Sequence, residues 1–231
     1  MHLEFTTTAC VRPELLDQTY RSLSNTLVDV DLKTEGVLYI NIDPVPDSSD
    51  QAINEELKVA RSYFGEVHYR IGEPGGNFSC AASWVLSQPK GEYFFNVEDD
   101  WLFDGEICVD NYINKIKSDN RNNILQCIAG KKRVAAVQNR IHFFPGLFQT
   151  SIIQSILTQH PIPENENPER WLWELKAPKQ LVDYNVTSLG GVVCKDNGRK
   201  WMLDKGYSKN YNLRINAKGT MQGNFTQWNL K

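Results

Sequence analysis

The sequence lacks the closely spaced cysteine pairs that build disulfide frameworks and zinc sites. Its five cysteines are odd in number, widely scattered and without a CxxC pair. This pattern argues against both a disulfide framework and a cysteine zinc site, and it predicts reduced thiols in a cytoplasmic protein. The cysteines are Cys10, Cys80, Cys108, Cys127 and Cys194.

Long hydrophobic runs are also missing. No stretch approaches the roughly 18 to 20 apolar residues that a membrane-spanning helix needs. The start, MHLEFTTTAC, lacks a basic flank followed by a long apolar region, so neither a membrane span nor a cleaved leader is expected. With 231 residues, 41% of them hydrophobic, the chain can bury a substantial core, and we expect one domain over residues 1–231.

Charge is unevenly distributed along the chain. Residues 195–231 contain eight Lys or Arg and two Asp, a net charge of +6, so residues 1–194 carry −9 of the total of −3. A cationic tail attracts anionic ligands such as a diphosphate or nucleic acid, although a solvated surface explains it equally well.

Short apolar runs alternate with helical patterns through the first hundred residues. This alternation predicts an α/β fold, with a mostly parallel central sheet flanked by helices and ligands bound at the carboxyl ends of the strands. The predicted strands are His2–Thr8, Gly36–Ile42, Glu66–Ile71 and Gly91–Val97, and the predicted helices begin near Leu15, Gln51 and Phe78.

The pattern loosens after residue 104 and indicates an α+β second half. Prolines and polar residues predict a loop at His160–Pro168. The other predicted elements are helices at Gly105–Lys117, Gln149–Thr158 and Glu169–Leu175, and strands at Arg133–Val137 and Arg140–Phe144.

Three consecutive acids, Glu98, Asp99 and Asp100, follow the fourth predicted strand. Crowded carboxylates repel one another unless a cation is present, and a divalent metal would resolve the conflict. Hard oxygen ligands suit Mg²⁺ or Mn²⁺, which bind through one or two carboxylates plus substrate phosphates. An acidic turn that caps the next helix is the alternative explanation.

These motifs, taken in order, resemble those of GT-A glycosyltransferases. The resemblance covers residues 3–102 well and is looser through Phe144–Leu147 and Asn167–Glu169, segments similar to those of small soluble enzymes that include virus-encoded ones. The residues that carry it are Thr6-Thr7-Thr8, Arg12, Asp43, Gly75-Gly76-Asn77, Gly91-Glu92-Tyr93 and Glu98-Asp99-Asp100.

The resemblance implies a Rossmann-like GT-A domain with a nucleotide-sugar half at residues 1–103 and an acceptor half with a basic tail at residues 104–231. It implies a nucleotide-sugar donor, UDP-sugar by preference, with Mn²⁺ or Mg²⁺ and a cytoplasmic location, that of the host if the protein is viral. A glycan or small-molecule acceptor is preferred, with modified nucleic acid as the alternative.

The resemblance also assigns residues to roles. Asp100 is the direct metal ligand, while Glu98, in place of the family's usual first Asp, faces the ribose or the metal. A later histidine often completes such a metal site, but none follows His160 here, which leaves His142, His160, a water or a carboxylate as the third ligand. The residues assigned to the donor are Thr6, Thr8, Arg12, Asp43, Gly75, Asn77, Glu98, Asp99 and Trp101.

An inverting transfer needs a carboxylate base, and Glu169 after the proline-rich loop is the candidate. Glu174 and Asp183 are alternatives, a retaining enzyme needs no such base, and Glu169 also suits the start of a helix. Trp101 and Trp171 are favoured for ligand contact over Trp173 and Trp201. In the tail, Arg199, Lys200, Lys205 and Lys209 are candidates to neutralise a diphosphate or close over the donor.

Two other functions fit parts of this pattern. A nucleotidyltransferase acting on a sugar phosphate would share the architecture, but such enzymes usually carry a Gly/Lys/Arg-rich loop after the first strand. Here no glycine precedes Gly36. A non-catalytic module that binds carbohydrate or nucleic acid through the basic, Trp-bearing tail is the other alternative.

Overall fold

The computed structural model describes residues 2–45, 48–118, 124–128, 145–164, 166–168, 171, 186–205, 207–215 and 221–230. The helices in these ranges are α1 (Pro13–Thr26), α2 (Leu32–Glu35), α3 (Asp50–Tyr63), α4 (Phe78–Ser87), α5 (Val109–Ser118), α6 (Thr150–Gln159) and α7 (Gly198–Asp204). The strands are β1 (Leu3–Cys10), β2 (Gly36–Asp43), β3 (Glu66–Ile71), β4 (Tyr93–Asn96), β5 (Trp101–Asp104), β6 (Ile124–Ile128), β7 (Gly146–Gln149), β8 (Val186–Asp196), β9 (Tyr207–Ile215) and β10 (Met221–Leu230).

Eight of these strands form one sheet in the order β3-β2-β1-β4-β7-β6-β8-β5, and β9 pairs with β10 in a separate antiparallel hairpin. Within the large sheet only β5 and β7 run against the others. The predicted α/β class with a mixed, mostly parallel sheet is confirmed.

The strand order reverses beside β1. The chain leaves β1 for β2 and β3 on one side, and then crosses to β4 on the other side. Parallel strands on either side of such a reversal send their following loops apart, which opens a crevice at their carboxyl ends. The end of β1 and the acidic segment after β4 both lie at this point.

Helices cover both faces of the sheet. Phe95 belongs to a core cluster with residues of α1 and α3, whereas its neighbour Phe94 belongs to a second cluster with residues of α4 and α6. Successive strand residues point to opposite faces, so the two phenylalanines place a core on each side. Phe94 stacks on Phe148 of β7 with ring centroids 5.4 Å apart.

Local sequence accounts for the elements around the crevice. Pro13 begins α1, where its missing N–H costs nothing, and Leu16, Tyr20 and Leu23 supply a fully buried stripe. The middle of β1 is buried, as expected of a central parallel strand.

The first half follows the sequence prediction closely, since the four predicted strands and three helices are all present. The short strands β5 and β7 and the strands β6 and β8 were not predicted. The strands predicted at Arg133–Val137 and Arg140–Phe144 lie outside the described residues, as does most of the helix predicted at Glu169–Leu175. No helix in the described part of the chain is long and apolar enough to cross a membrane.

Candidate functional site

The ends of β1 and β4 bring the acidic segment beside the start of α1. Thr6 of β1 pairs with Asn96 of β4, and the Val97 amide donates to the Thr6 carbonyl at 2.8 Å. The chain then enters Glu98–Asp100, next to the residues that link β1 to α1. The structure therefore places the predicted carboxylate cluster at the reversal of strand order.

The three acids do not have equivalent surroundings. Asp99 is only 3% exposed, and its carboxylate accepts hydrogen bonds from Arg12 Nε at 3.0 Å and from the Cys10 amide at 2.9 Å. A second Arg12 nitrogen contacts the other Asp99 oxygen, so the pair is bidentate. Asp99 is thus turned inward and neutralised, which leaves Glu98 and Asp100 as the half-buried acids.

Arg12 links Asp99 to Asp100. Its side chain is 3% exposed, and its Nη2 lies 3.1 Å from Asp100 Oδ2. Burial lowers the pKa of Arg12, but the neighbouring groups, led by the charge of Asp99 and including Cys10 and Asp100, together raise it well above the ordinary value, so the guanidinium stays charged. The arginine predicted to lie against a nucleotide is thus bound to the two aspartates.

Glu98 is oriented by Trp101. The indole Nε1 donates to Glu98 Oε2 at 2.7 Å, and the Trp101 side chain is only 5% exposed, within the core cluster of α1 and α3. Trp101 thus lies in the core, where its indole holds Glu98, and its contact with a ligand stays a prediction.

Glu56 of α3 is a site residue that the sequence analysis missed. Its side chain is 0% exposed. Oε2 accepts a hydrogen bond from the Arg12 backbone amide at 2.9 Å, and Oε1 has no hydrogen-bond partner among the described residues. Burial, and secondarily the charge of Asp99, raise the pKa of Glu56 well above its ordinary value. Glu56 therefore holds the start of α1, and its raised pKa disfavours a further negative charge beside the cluster.

The raised pKa of Glu56 makes stability depend on pH. Above about pH 4.3 the unfolded chain releases this proton while the folded protein retains it, so rising pH favours unfolding until the folded-state pKa is passed. Glu56→Gln should remove this contribution. As the pH rises from about 4.3 towards the folded-state pKa of Glu56, the free energy of unfolding of wild type should fall relative to that of the variant. We expect a fall of at most about 1.4 kcal/mol per pH unit, measured by urea unfolding.

Glu55→Gln is the matched control, because Glu55 is exposed on the same helix. Its pH profile should follow that of the wild type. A profile of Glu56→Gln parallel to the wild type would show that Glu56 ionises normally in the folded protein.

Asp43 ends β2 and faces the turn before α4. Its Oδ1 accepts from Asn41 Nδ2 at 2.8 Å and its Oδ2 from the Asn77 amide at 3.1 Å. Burial raises the pKa of Asp43, against the effect of these hydrogen bonds. A Cβ at Gly72 would overlap Asp43 Oδ1, so a glycine is needed there.

The turn itself requires glycine. Gly75 and Gly76 have φ values of 90° and 73°, a region that side chains disfavour. Asn77 then caps α4, with Oδ1 accepting the Cys80 amide at 3.1 Å. This gives the predicted diphosphate side an exposed glycine at position 75 and a helix N-terminus, where anions are favoured.

The predicted threonines differ in depth. Thr6 is 0% exposed and its hydroxyl donates to Asn96 Oδ1 at 2.9 Å. Thr8, nearer the strand end, retains 8% exposure. Thr6 therefore braces β1 against β4, and Thr8 is the threonine closer to the crevice.

Helix α7 of the basic tail packs against the acidic cluster. The Asn197 amide donates to the Asp100 carbonyl at 2.8 Å, and a Cβ at Gly198 would overlap Asp100 Oδ2. Trp201 lies over Arg12, with the guanidinium 5.6 Å from the ring centroid, and its Nε1 donates to Glu14 at 2.5 Å.

The candidate cations of the tail have different surroundings. Lys205 lies 3.7 Å from Glu14, and Lys200 is exposed. Of Arg199 and Lys209 only the backbone is described. The tail thus reaches the site through α7, and Lys200 and Lys205 lie at the surface.

Metal-ligand candidates are few at this site. Within the described ranges no group of three or more His, Cys, Asp or Glu has the arrangement of a complete metal centre. Glu98 and Asp100 could supply two carboxylates, which suits a Mg²⁺ or Mn²⁺ ion that takes its other ligands from a diphosphate and water. The carboxylates present therefore fit such an ion only when a diphosphate substrate supplies further ligands.

The remaining candidates divide between described and undescribed residues. His160 follows α6, with its Nε2 buried and without a partner among the described residues. Trp171 packs against the core cluster of α4 and α6. The other candidates, which are Glu169, Glu174, Asp183, His142 and Trp173, lie outside the described residues.

Neither protein-family models nor curated protein sequences gave a match to this chain. Solved structures did. S. aureus TarS 1-349 aligns with a TM-score of 0.58 at 15% identity, over 82% of this chain and 59% of that one. The mannosyltransferase PcManGT from Pyrobaculum calidifontis, solved with GDP-Man and Mn²⁺, aligns with a TM-score of 0.57 at 14% identity, over 85% of this chain and 57% of that one.

A structure of TarS 1-349 with UDP-GlcNAc aligns equally well, at a TM-score of 0.58 and 15% identity, over 83% of this chain and 57% of that one. The chain therefore spans less than three fifths of the length of the protein in each of these three structures. At such low identity the likeness establishes the fold alone, an α/β architecture that GT-A glycosyltransferases and nucleotidyltransferases share.

Proposed function

We propose that this chain is a divalent-metal-dependent glycosyltransferase that moves a sugar from a nucleotide-diphosphate sugar to an acceptor hydroxyl. The observation that carries the proposal is the difference in burial and hydrogen-bond partners among the three acids at the reversal of strand order. Arg12 neutralises Asp99, while Glu98 and Asp100 stay half-buried at the crevice.

The local charge supports a divalent cation. Glu98, Asp99 and Asp100 bring three negative charges when ionised, and Arg12 cancels one of them. The net charge of about −2 matches a doubly charged ion, whose binding would relieve the remaining repulsion. A bound Mn²⁺ or Mg²⁺ would stabilise the charge that develops on a departing diphosphate.

The donor would lie across the crevice. Its nucleoside fits the ends of β1 and β2, where Thr8 and Asp43 are found, and its diphosphate and sugar fit the turn of Gly75 and Asn77 at the start of α4. Thr6 and Arg12 would support the site without touching the donor, because Thr6 holds β1 and Arg12 holds the two aspartates in position.

Proton removal from the acceptor is assigned to Glu169 for an inverting reaction. A glycan or small-molecule acceptor is preferred, and the +6 tail keeps a modified nucleic acid as the alternative. TarS 1-349 was solved with UDP-GlcNAc and PcManGT with GDP-Man and Mn²⁺, so UDP-sugars, followed by GDP-sugars, are the first donors to test.

Thermal unfolding with candidate donors tests the function. A ligand at a hundred times its Kd stabilises the folded state by about 2.7 kcal/mol, which for a chain of this size raises Tm by roughly 5 to 10 °C. We expect this rise with UDP-GlcNAc, UDP-glucose or GDP-mannose only when Mn²⁺ is present, and we expect EDTA to reverse it.

The same assay separates the alternatives. A nucleotidyltransferase would be stabilised by a nucleoside triphosphate with a sugar phosphate and would release pyrophosphate, whereas a glycosyltransferase releases a nucleoside diphosphate. Stabilisation by free sugars without any nucleotide would instead favour a binding module. The lack of a glycine-rich loop between β1 and α1 favours glycosyl transfer.

A further inference from the structure

An open groove of about 770 Å³ lies between α4, α6 and the loop after α6. This volume falls within the range of small-molecule sites. Leu157 and Ile162 give it an apolar part, while Gln154 and Thr158 add polar groups. None of these residues belongs to the acidic cluster, so the groove is a separate feature of the surface.

Hydrogen bonds within the protein leave acceptor oxygens on the α6 side. Gln154 donates its Nε2 to the Pro89 carbonyl at 2.7 Å, and the Thr158 hydroxyl donates to the Gln154 carbonyl at 2.8 Å. Gln154 Oε1 and Thr158 Oγ1 can accept hydrogen bonds from a ligand, and the second N–H of Gln154 Nε2 can donate one. A ligand with several hydroxyl groups matches such a wall.

The α4 side supplies an aromatic surface. Trp84 lines the groove and is half-buried, since part of its indole packs against the core cluster of α4 and α6. Ser83 and Ser87 stand on the same helix. An indole between hydroxyl groups can pack against the apolar C–H face of a sugar ring while the ring hydroxyls are hydrogen-bonded at its edge.

One end of the groove carries charges of both signs. Arg70 Nη1 donates to the Cys80 carbonyl at 3.4 Å. Arg70 and Glu164 both line the groove. Burial, Glu164 and Asp43 raise the pKa of Cys80, and Arg70 opposes that rise. One cation beside two acids gives no attraction for an anion and leaves hydrogen bonds to both donors and acceptors.

That end is also the one nearest the crevice. Arg70 acts on the pKa of Asp43, opposing the rise caused by burial, and Asn77, which caps α4, bonds to Asp43 through its amide. The groove therefore starts beside the turn assigned to the donor sugar and follows α4 away from it.

We propose that this groove binds a neutral oligosaccharide, namely the part of a glycan acceptor that lies away from the reacting hydroxyl. The assignment of the oligosaccharide as acceptor rests on the proposed glycosyltransferase function, whereas its binding to the groove does not. The aromatic face, the hydrogen-bonding groups and the lack of excess positive charge at the Arg70 end together favour an uncharged chain of sugars.

Titration calorimetry with cellotetraose, maltotetraose and chitotetraose tests the binding, with tetragalacturonate as the anionic comparison. We expect at least one neutral probe to bind, and Thr158→Arg to weaken it at least tenfold, because Thr158 is exposed in the groove and a long side chain there fills it. Gln159→Arg is the matched control, since Gln159 is exposed on the same helix but does not line the groove.

The proposal is overturned if none of the three neutral probes binds, if tetragalacturonate binds more tightly than they do, or if Thr158→Arg binds as well as wild type. Donor binding with Mn²⁺ is measured on the same variants. Loss of oligosaccharide binding with donor stabilisation intact supports the groove, whereas oligosaccharide binding without any donor stabilisation retains the groove and rejects the glycosyltransferase.

Discussion

Asp100→Asn is expected to reduce metal-dependent transfer by about a thousandfold, while the protein unfolds at nearly the same urea concentration. Loss of a charged ligand removes several kcal/mol of stabilisation from a departing diphosphate, and about 4 kcal/mol corresponds to that factor. Asparagine has the same shape, so it fits against Gly198, and Arg12 keeps its bidentate partner Asp99. Turnover is measured as release of nucleoside diphosphate at saturating Mn²⁺.

Asp104→Asn makes the same chemical change at an exposed position at the end of β5. It should leave both turnover and stability unchanged. Equal turnover in Asp100→Asn, Asp104→Asn and wild type would remove Asp100 from the metal site. A large fall in the stability of Asp100→Asn would instead show that the carboxylate mainly anchors α7.

The first half of the fold could be predicted because its signals are local. β1 is rich in β-prone residues, β2 is a largely apolar run that ends at Asp43 before Pro44, and the intervening helix α1 shows a clear stripe of buried positions. β5 and β7 have four residues each, too few to show a period. Their pairings depend on partners that are distant in the sequence, such as Trp101 with Asp196.

The site was predictable in part for a similar reason. Three adjacent acids after a strand are visible in the sequence, but the pairing of Arg12 with Asp99 joins residues 87 positions apart. Glu56 lies in a polar stretch that is typical of a solvated helix face. One signal pointed inward, since Glu56 shares the α3 face of Ile53 and Ala60, three and four residues away.

The burial of Asp99 makes the stability of the protein depend on Arg12, and this dependence can be measured. Asp99 is buried between Glu98 and Asp100 in the sequence and fixes the segment that carries them. A buried carboxylate is stable only while its cationic partner is present. Arg12 provides that charge, and Glu56 holds the backbone of Arg12 in place. The arrangement of the candidate site therefore depends on the buried pair of Arg12 and Asp99 rather than on the half-buried acids Glu98 and Asp100.

Arg12→Met is accordingly expected to lower the free energy of unfolding by about 3 to 5 kcal/mol, because it leaves Asp99 buried without a partner. Adding Asp99→Asn removes the orphaned charge, so the double variant should be more stable than Arg12→Met alone. Arg21→Met is the control, since Arg21 forms an exposed pair with Asp17 whose loss should barely change stability. Urea unfolding at neutral pH measures all three, and a loss in Arg12→Met no greater than in Arg21→Met would contradict a structural role for the buried pair.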